Sequence, residues 1–294
     1  MRYVVAPLRA LVLLLHILEG IAISALVFPA LDQRKRNRII GAWSRGLLRI
    51  CGARLAVTGV RLDPGLVRYG VLPGSRGRLL LANHISWIDV FALLGTLPSR
   101  FVAKSEIGRW PLIGSLVTLV GTLYIERGRR HAVAAMNHRV RDRIAAGETI
   151  VVFAEGTTTD GFSLLPFHSN LIAPALDVDC AIWPVAMRYT DRGVQTAAAC
   201  FVGDMGLITS LWNILVARDL VIEVACLAAL SVPPDSTRHH IAHLARSAIA
   251  AHLGFSADVA DHPRSSKSAA VSARERPIAD TAPAESSETA NASR

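Results

Sequence analysis

A histidine and an aspartate five positions apart, His84 and Asp89, stand inside the run LLLANHISWIDVFALL, residues 79–94. On one continuous helix that spacing is a rotation of roughly 140°, so the two side chains would point to different faces. They meet only if His84 closes a strand, or lies in the turn after it, while Asp89 lies in the helix that follows. The apolar runs Leu79–Ala82 and Ile88–Leu94 provide that strand and that helix. The carboxylate then accepts from one imidazole nitrogen and fixes the tautomer, which leaves the other nitrogen as a general base. The competing reading is a structural histidine in a turn capped by Asn83 or Ser86.

Three further stretches carry polar groups at strand ends. GTLYIERG puts Glu126 and Arg127 after a short apolar run, where an arginine can fork onto phosphate oxygens or make a surface ion pair. FAEGTTTDG puts Glu155, Gly156 and Thr157 after another. There a glycine lets the backbone approach a ligand and a threonine can donate to an oxyanion, unless the stretch is only a tight turn. IWPVAMRY reads as a buried strand interrupted by Pro184, which marks an edge or a bulge.

These residues need a frame. Strand-like runs are Leu55–Val60, Arg78–Asn83, Arg100–Lys104, Thr122–Arg127, Thr149–Phe153, Ala181–Tyr189, Ala198–Val202 and Leu220–Leu227. Helix-like runs fall between several of them, notably Arg129–Ala146 and Ser236–Leu253. The alternation points to an α/β fold with a mixed, partly parallel sheet flanked by helices over residues 53–254. Residues 1–52 form a membrane-associated helical segment. Ala10–Leu31 is mostly apolar and, as one helix, roughly 33 Å long. A spanning helix and a pair of shorter helices within one leaflet both fit it, because His16 and Glu19 sit in its middle; a cleavable leader fits it least. Arg34, Lys35, Arg36 and Arg38 follow, which places the rest of the chain on the cytoplasmic side. Ile39–Ile50 has the spacing of a helix with one apolar and one cationic face, suited to anionic headgroups. Residues 255–294, rich in Ser, Ala, Pro, Glu and Arg, lack apolar periodicity and are expected to be disordered.

Composition narrows the partners. The 294 residues are 51% hydrophobic and carry a formal charge of +9, with a mean hydropathy of +0.37. A basic, apolar chain suits an anionic membrane surface. At 6% aromatic residues, and with no finger or RNA-platform signature, it does not suit nucleic acid. The four cysteines are scattered and form no CxxC pair, which speaks against a zinc or redox site. His239 and His243, one turn apart on a late helix, have no acidic or thiol companion and read as a solvated face; His168 is close enough to the FAEGTTTDG stretch to line the same cleft.

Taken in order and spacing, these stretches resemble the four blocks of the glycerolipid acyltransferase superfamily, in particular the bacterial, PlsC-like 1-acyl-sn-glycerol-3-phosphate acyltransferases. NHISWID is similar to the His-x4-Asp block. VAKSEIGRWPLIGSLVTLVGTLYIERG is similar to the second block with its lead-in, FAEGTTTDG to the Glu-Gly-Thr block, and WPVAMRY to the proline-containing fourth. The resemblance implies that His84 deprotonates the acceptor hydroxyl and Asp89 orients it. It implies that Glu126, Arg127, Glu155, Gly156 and Thr157 bind the acceptor's polar head, with Lys104 helping on phosphate. The donor would be acyl-CoA or acyl carrier protein, with no cofactor, no metal and no covalent acyl-enzyme. The absence of GxSxG, HExxH, P-loop and GxGxxG patterns agrees.

The implied reaction converts 1-acyl-sn-glycerol-3-phosphate, a lysophospholipid, to phosphatidic acid at the bacterial inner membrane, on its cytoplasmic side. Two departures bear on the acceptor. Position 158 is Thr where the family commonly has Arg, and position 154 is Ala where Pro is usual. Thr158, Thr159 and Asp160 resemble a branch that includes lyso-ornithine lipid O-acyltransferases, so that lipid is the alternative acceptor. The alternative of another class is a non-catalytic membrane-binding protein with the same fold.

Overall fold

The computed structural model describes residues 2–59, 77–110, 113–125, 130–178, 180–233 and 235–256. The expected disorder of the tail therefore lies almost wholly outside the described residues, as do Glu126 and Arg127. The strands are β1 (Ala53–Gly59), β2 (Arg78–Ala82), β3 (Arg100–Lys104), β4 (Leu123–Ile125), β5 (Thr149–Phe153), β6 (Ala181–Asp191), β7 (Val194–Gln195) and β8 (Leu220–Cys226). The helices are α1 (Arg2–Leu26), α2 (Gln33–Ile50), α3 (Asp89–Thr96), α4 (Ile113–Leu119), α5 (Arg130–Ala145), α6 (Ala173–Leu176), α7 (Leu207–Val216) and α8 (Arg238–Leu253).

The strands form one mixed sheet in the order β1-β8-β6-β2-β5-β3-β4, with β7 on the end of β6. From β6 through β4 the neighbours are parallel, while β8 runs antiparallel to β6. β2 explains the core. After Arg78 its residues are apolar without alternation because both of its faces are covered. Leu80 and Ala82 pack with Leu47, Phe91 and Ile214 on one side. Leu79 and Leu81 pack with Met136, Val140, Ile241 and Ala245 on the other. The four cysteines are free. Burial pushes the thiol of Cys51 up to about 12 and that of Cys226 to about 11, so both serve as small apolar groups.

β6 corrects the expectation for Pro184. The strand is interior, and Pro184 pairs with Leu81 of β2. In an extended strand a residue's N–H and C=O point to the same side. The Pro184 carbonyl accepts from Leu227, just past the end of β8 at Cys226. The missing N–H thus lies beyond the last β6–β8 ladder pair, Val185 with Cys226, and the central sheet tolerates the ring. A second correction concerns Ala198–Val202, which is turn and loop rather than strand. Its Phe201 N–H donates sideways to the Ile85 carbonyl, 3.0 Å away.

α1 is a single helix, and its described stretch Val5–Leu26 is long and apolar enough to cross a membrane by length and composition, with 17% of it buried. Its inner side meets the main core through Ala6, Leu13 and Ile17. The polar residues in its middle fasten it to α2. The His16 ring stacks on Trp43 at 4.6 Å between centroids, Trp43 Nε1 donates to the His16 carbonyl at 3.0 Å, and His16 Nδ1 lies 2.9 Å from Glu19. α2 starts at Asp32, whose side chain accepts from the Lys35 N–H at 2.8 Å.

Candidate active site

The carboxyl ends of β2, β3, β4 and β5 lie along one edge, because these strands are parallel. Open α/β sheets bind ligands at that edge. β6 extends it. The register pairs Ala82, the last residue of β2, with Val185, and β6 continues to Asp191. Residues 83–89 turn against this projecting half of β6. The Asn83 carboxamide takes the place of the next peptide of β2: its Oδ1 accepts from the Met187 N–H at 2.7 Å and its Nδ2 donates to the Met187 carbonyl at 3.0 Å. Asn83 thus extends the sheet instead of capping α3, and Ser86 also caps nothing with its side chain.

His84 follows, and its Nδ1 lies 2.8 Å from Asp89 Oδ2. The chain therefore solves the spacing problem by ending a strand before His84 and starting α3 at Asp89. Asp89 is fully buried. Its Oδ2 also accepts from the N–H groups of Ile85 and Ser86, at 2.8 and 2.9 Å, and its Oδ1 accepts from the Tyr189 hydroxyl. Four donors offset the cost of burying the charge. With the carboxylate as acceptor, Nδ1 carries the hydrogen and Nε2 has the lone pair. The ring stacks on Phe153 at 3.8 Å with an interplanar angle of 10° and keeps 18% of its side chain exposed.

The FAEGTTTDG stretch wraps the same loop from the end of β5. Glu155, 2% exposed, accepts from the His84 N–H at 2.8 Å and from the Leu165 N–H at 2.9 Å. Burial above all pushes its carboxyl up to about 7, against the lowering effect of those two N–H groups. The residue expected to face an acceptor head instead braces the backbone of the histidine loop. Gly156 turns the chain at φ +68, a region open to glycine. Thr157 is exposed. The Thr158 hydroxyl donates to the Phe201 carbonyl, and the Thr159 N–H donates to the His84 carbonyl at 2.8 Å.

Lys104 is exposed at the carboxyl end of β3, paired in register with Ile125, the residue before Glu126. His168 is exposed and His239 bonds Ser169 at 3.2 Å. Two members of the cluster, Tyr189 and Phe153, carried no signal in local spacing; only the pairing of β6 and β5 with β2 brings them to His84.

The arrangement places an aimed, partly exposed imidazole at the ligand-binding edge of a sheet, which is what proton abstraction from a hydroxyl requires. Residues 68–188 match the family model described as Acyltransferase. The chain is 32% identical over 228 residues to a 1-acyl-sn-glycerol-3-phosphate acyltransferase of Neisseria gonorrhoeae, covering 77% of this chain and 85% of the relative. It is 38% identical over 181 residues to a lyso-ornithine lipid O-acyltransferase of Pseudomonas aeruginosa, covering 61% and 65%. The crystal structure of the 1-acyl-sn-glycerophosphate acyltransferase PlsC from Thermotoga maritima matches with a TM-score of 0.57 over 86% of this chain and 97% of that one, at 16% identity, a likeness of fold.

Proposed function

On the premise that this chain belongs to the acyltransferase family, and is an O-acyltransferase, we propose that it acylates 1-acyl-sn-glycerol-3-phosphate to phosphatidic acid. The observation that carries the reading is the 2.8 Å contact between His84 Nδ1 and Asp89. Nε2, which makes no hydrogen bond among the described residues, takes the proton of the acceptor hydroxyl. The oxygen adds to the thioester carbonyl. The tetrahedral intermediate then breaks its C–S bond, and the departing sulfur receives the proton from Nε2. A positioned base of this kind accelerates transfer by about 10²–10⁴-fold. The donor is acyl-CoA or acyl carrier protein, and the exchange of one proton and one acyl group needs neither metal nor cofactor.

We assign the acceptor's head to Lys104, Arg127, Glu126, Gly156 and Thr157. Lys104 is exposed at the ligand-binding edge, and Glu126 and Arg127 follow directly on the last residue of β4. The apolar stretch Val5–Leu26 and the cations of α2 support attachment to the inner membrane, with the catalytic domain on the cytoplasmic side.

Lyso-ornithine lipid is the second acceptor to weigh, and one observation favours it. The side chain at 158 is a threonine whose hydroxyl is held by the Phe201 carbonyl, so this position offers no cation to a phosphate. A competition assay decides. Membranes with the enzyme receive both lysolipids and a labelled acyl-thioester. The leading reading expects the phosphate-bearing lipid to be preferred and Arg127→Ala to abolish the preference. Preference for the phosphate-free lipid, little altered by Arg127→Ala and reversed by Thr158→Arg, would replace it.

A further inference from the structure

We infer that Tyr189 is a positioning residue for acyl transfer: through Asp89 it holds the His84 imidazole in the orientation that leaves Nε2 as the base. The inference rests on the assignment of His84 as that base.

The carboxylate of Asp89 is held unevenly. Oδ2 takes three hydrogens, from His84 Nδ1, Ile85 N and Ser86 N, all within its own turn. The terminal torsion of an aspartate is broad, and a group pinned at one oxygen can still swing. The fourth contact comes from another element: Tyr189, 1% exposed on β6, donates to Oδ1. It fixes the second oxygen and hence the plane of the carboxylate. The imidazole inherits that plane through Nδ1.

The same strand fixes the other end of the turn. Met187, two residues before Tyr189 on β6, carries with its backbone both hydrogen bonds to Asn83. One strand thus sets where the turn starts and where its carboxylate points. The phenol keeps the proton it donates to Asp89, because burial first, and the charge of Asp89 next, hold its hydroxyl well above the ordinary value.

The test compares wild type with Tyr189→Phe, which keeps the ring and its packing and removes only the hydroxyl. With a lysolipid acceptor in mixed micelles, kcat is expected to fall about tenfold with the acceptor KM little changed, the scale of one hydrogen bond to a charged group. A purely structural tyrosine would not alter the imidazole. Ring ¹⁵N NMR of His84, assigned by its loss in His84→Gln, is therefore the second readout. With Oδ1 released the Asp89 carboxylate can turn, so the His84 ring loses order and the ¹⁵N signals of Nδ1 and Nε2, distinct while one tautomer is held, draw together. The spectra are compared at one pH, because Asp89 faces the ring and Glu155 reaches its backbone in both proteins. Wild-type kcat with unchanged His84 ring signals overturns the inference, whatever happens to the melting temperature. An active His84→Ala variant would instead overturn the underlying assignment of the base, which separates the two failures.

Discussion

The carboxylate of Glu155 and the backbone N–H of His84 are 2.8 Å apart, so a residue that follows β5 holds the turn that follows β2. Its carboxyl is pushed from 4.5 up to about 7, chiefly by burial. A group whose folded value lies above its unfolded one stabilises the fold fully below the unfolded value. That contribution is lost as pH rises through the folded value. Between pH 5 and 8 Glu155 should therefore cost wild type about 2 kcal/mol of stability that Glu155→Gln does not lose. Denaturant unfolding at the two pH values measures it, and an equal wild-type-to-variant difference at both would refute it. In the same variant an amide N–H₂ replaces one acceptor and meets a backbone N–H, so kcat should drop at every pH.

Asp89 allows a sharper separation of charge from shape. In Asp89→Asn the amide oxygen can keep the three donors of the turn, while its N–H₂ meets Tyr189, whose hydroxyl can rotate to accept. The fold should survive with a loss of about 1 kcal/mol, whereas kcat should fall by about 10²-fold as the imidazolium loses its counter-charge. Asp89→Ala leaves the buried donors unsatisfied and should cost several times more in stability, on the order of 3 kcal/mol or above. Thermal melts and kcat for the pair check this. Equal destabilisation by Asn and Ala would show that the carboxylate's shape plays no part.

Much of this architecture was legible because parallel strands buried on both faces are short, apolar and bounded by polar ends. β3 and β5 run over the residues their pattern marks, and His84 and Asp89 meet in the strand–turn–helix setting that their spacing requires if they are to meet at all. What was not legible depends on partners far away in the chain. Tyr189 lies 100 positions from Asp89. Glu155 binds backbone, which leaves no trace in side-chain patterns. Pro184 misled because the end of β8, not any feature of β6, decides whether its missing N–H matters. Ala198–Val202 is apolar because it packs against the turn, and α7 lacks a plain apolar-in, polar-out pattern because one side of it is apolar yet exposed.

The pairing of α1 with α2 depends on a missing side chain. A Cβ on Gly20 would come within 2.8 Å of the Trp43 ring. Gly20→Ala should gain helix propensity in α1. It should nevertheless destabilise the protein, by about 1–3 kcal/mol, because Trp43 must leave its stack on His16 and its bond to the His16 carbonyl. The fluorescence of Trp43, isolated by comparison with Trp43→Phe, should shift toward that of a solvated indole. A variant as stable as wild type with unchanged emission would mean that the two helices are not locked together at this point.

α1 and α7 pack against each other, and each exposes large apolar side chains. Leu8, Leu11, Leu15 and Leu18 are exposed on the first helix, and Ile208 and Trp212, one turn apart, are 84% and 40% exposed on the second. The two helices are joined by Arg9, which donates to the Leu215 carbonyl, and by Leu13, Ile17, Ile214 and Leu215 in one core. α7 is tied in turn to the histidine loop by Trp87 Nε1, 3.2 Å from the Ser210 hydroxyl. If a bilayer covers α1, it reaches α7 as well, with the indole at a depth that suits an amphipathic ring. Ile208→Glu combined with Trp212→Glu should then weaken binding to anionic vesicles by about tenfold or more, given roughly 1.5–3 kcal/mol for each large apolar side chain kept out of water. Turnover of a short-chain acceptor in detergent should persist, since neither residue touches the His84–Asp89 pair. Cosedimentation with vesicles measures the first quantity and a thioester assay the second; undiminished vesicle binding by the double variant would confine the lipid contact to α1.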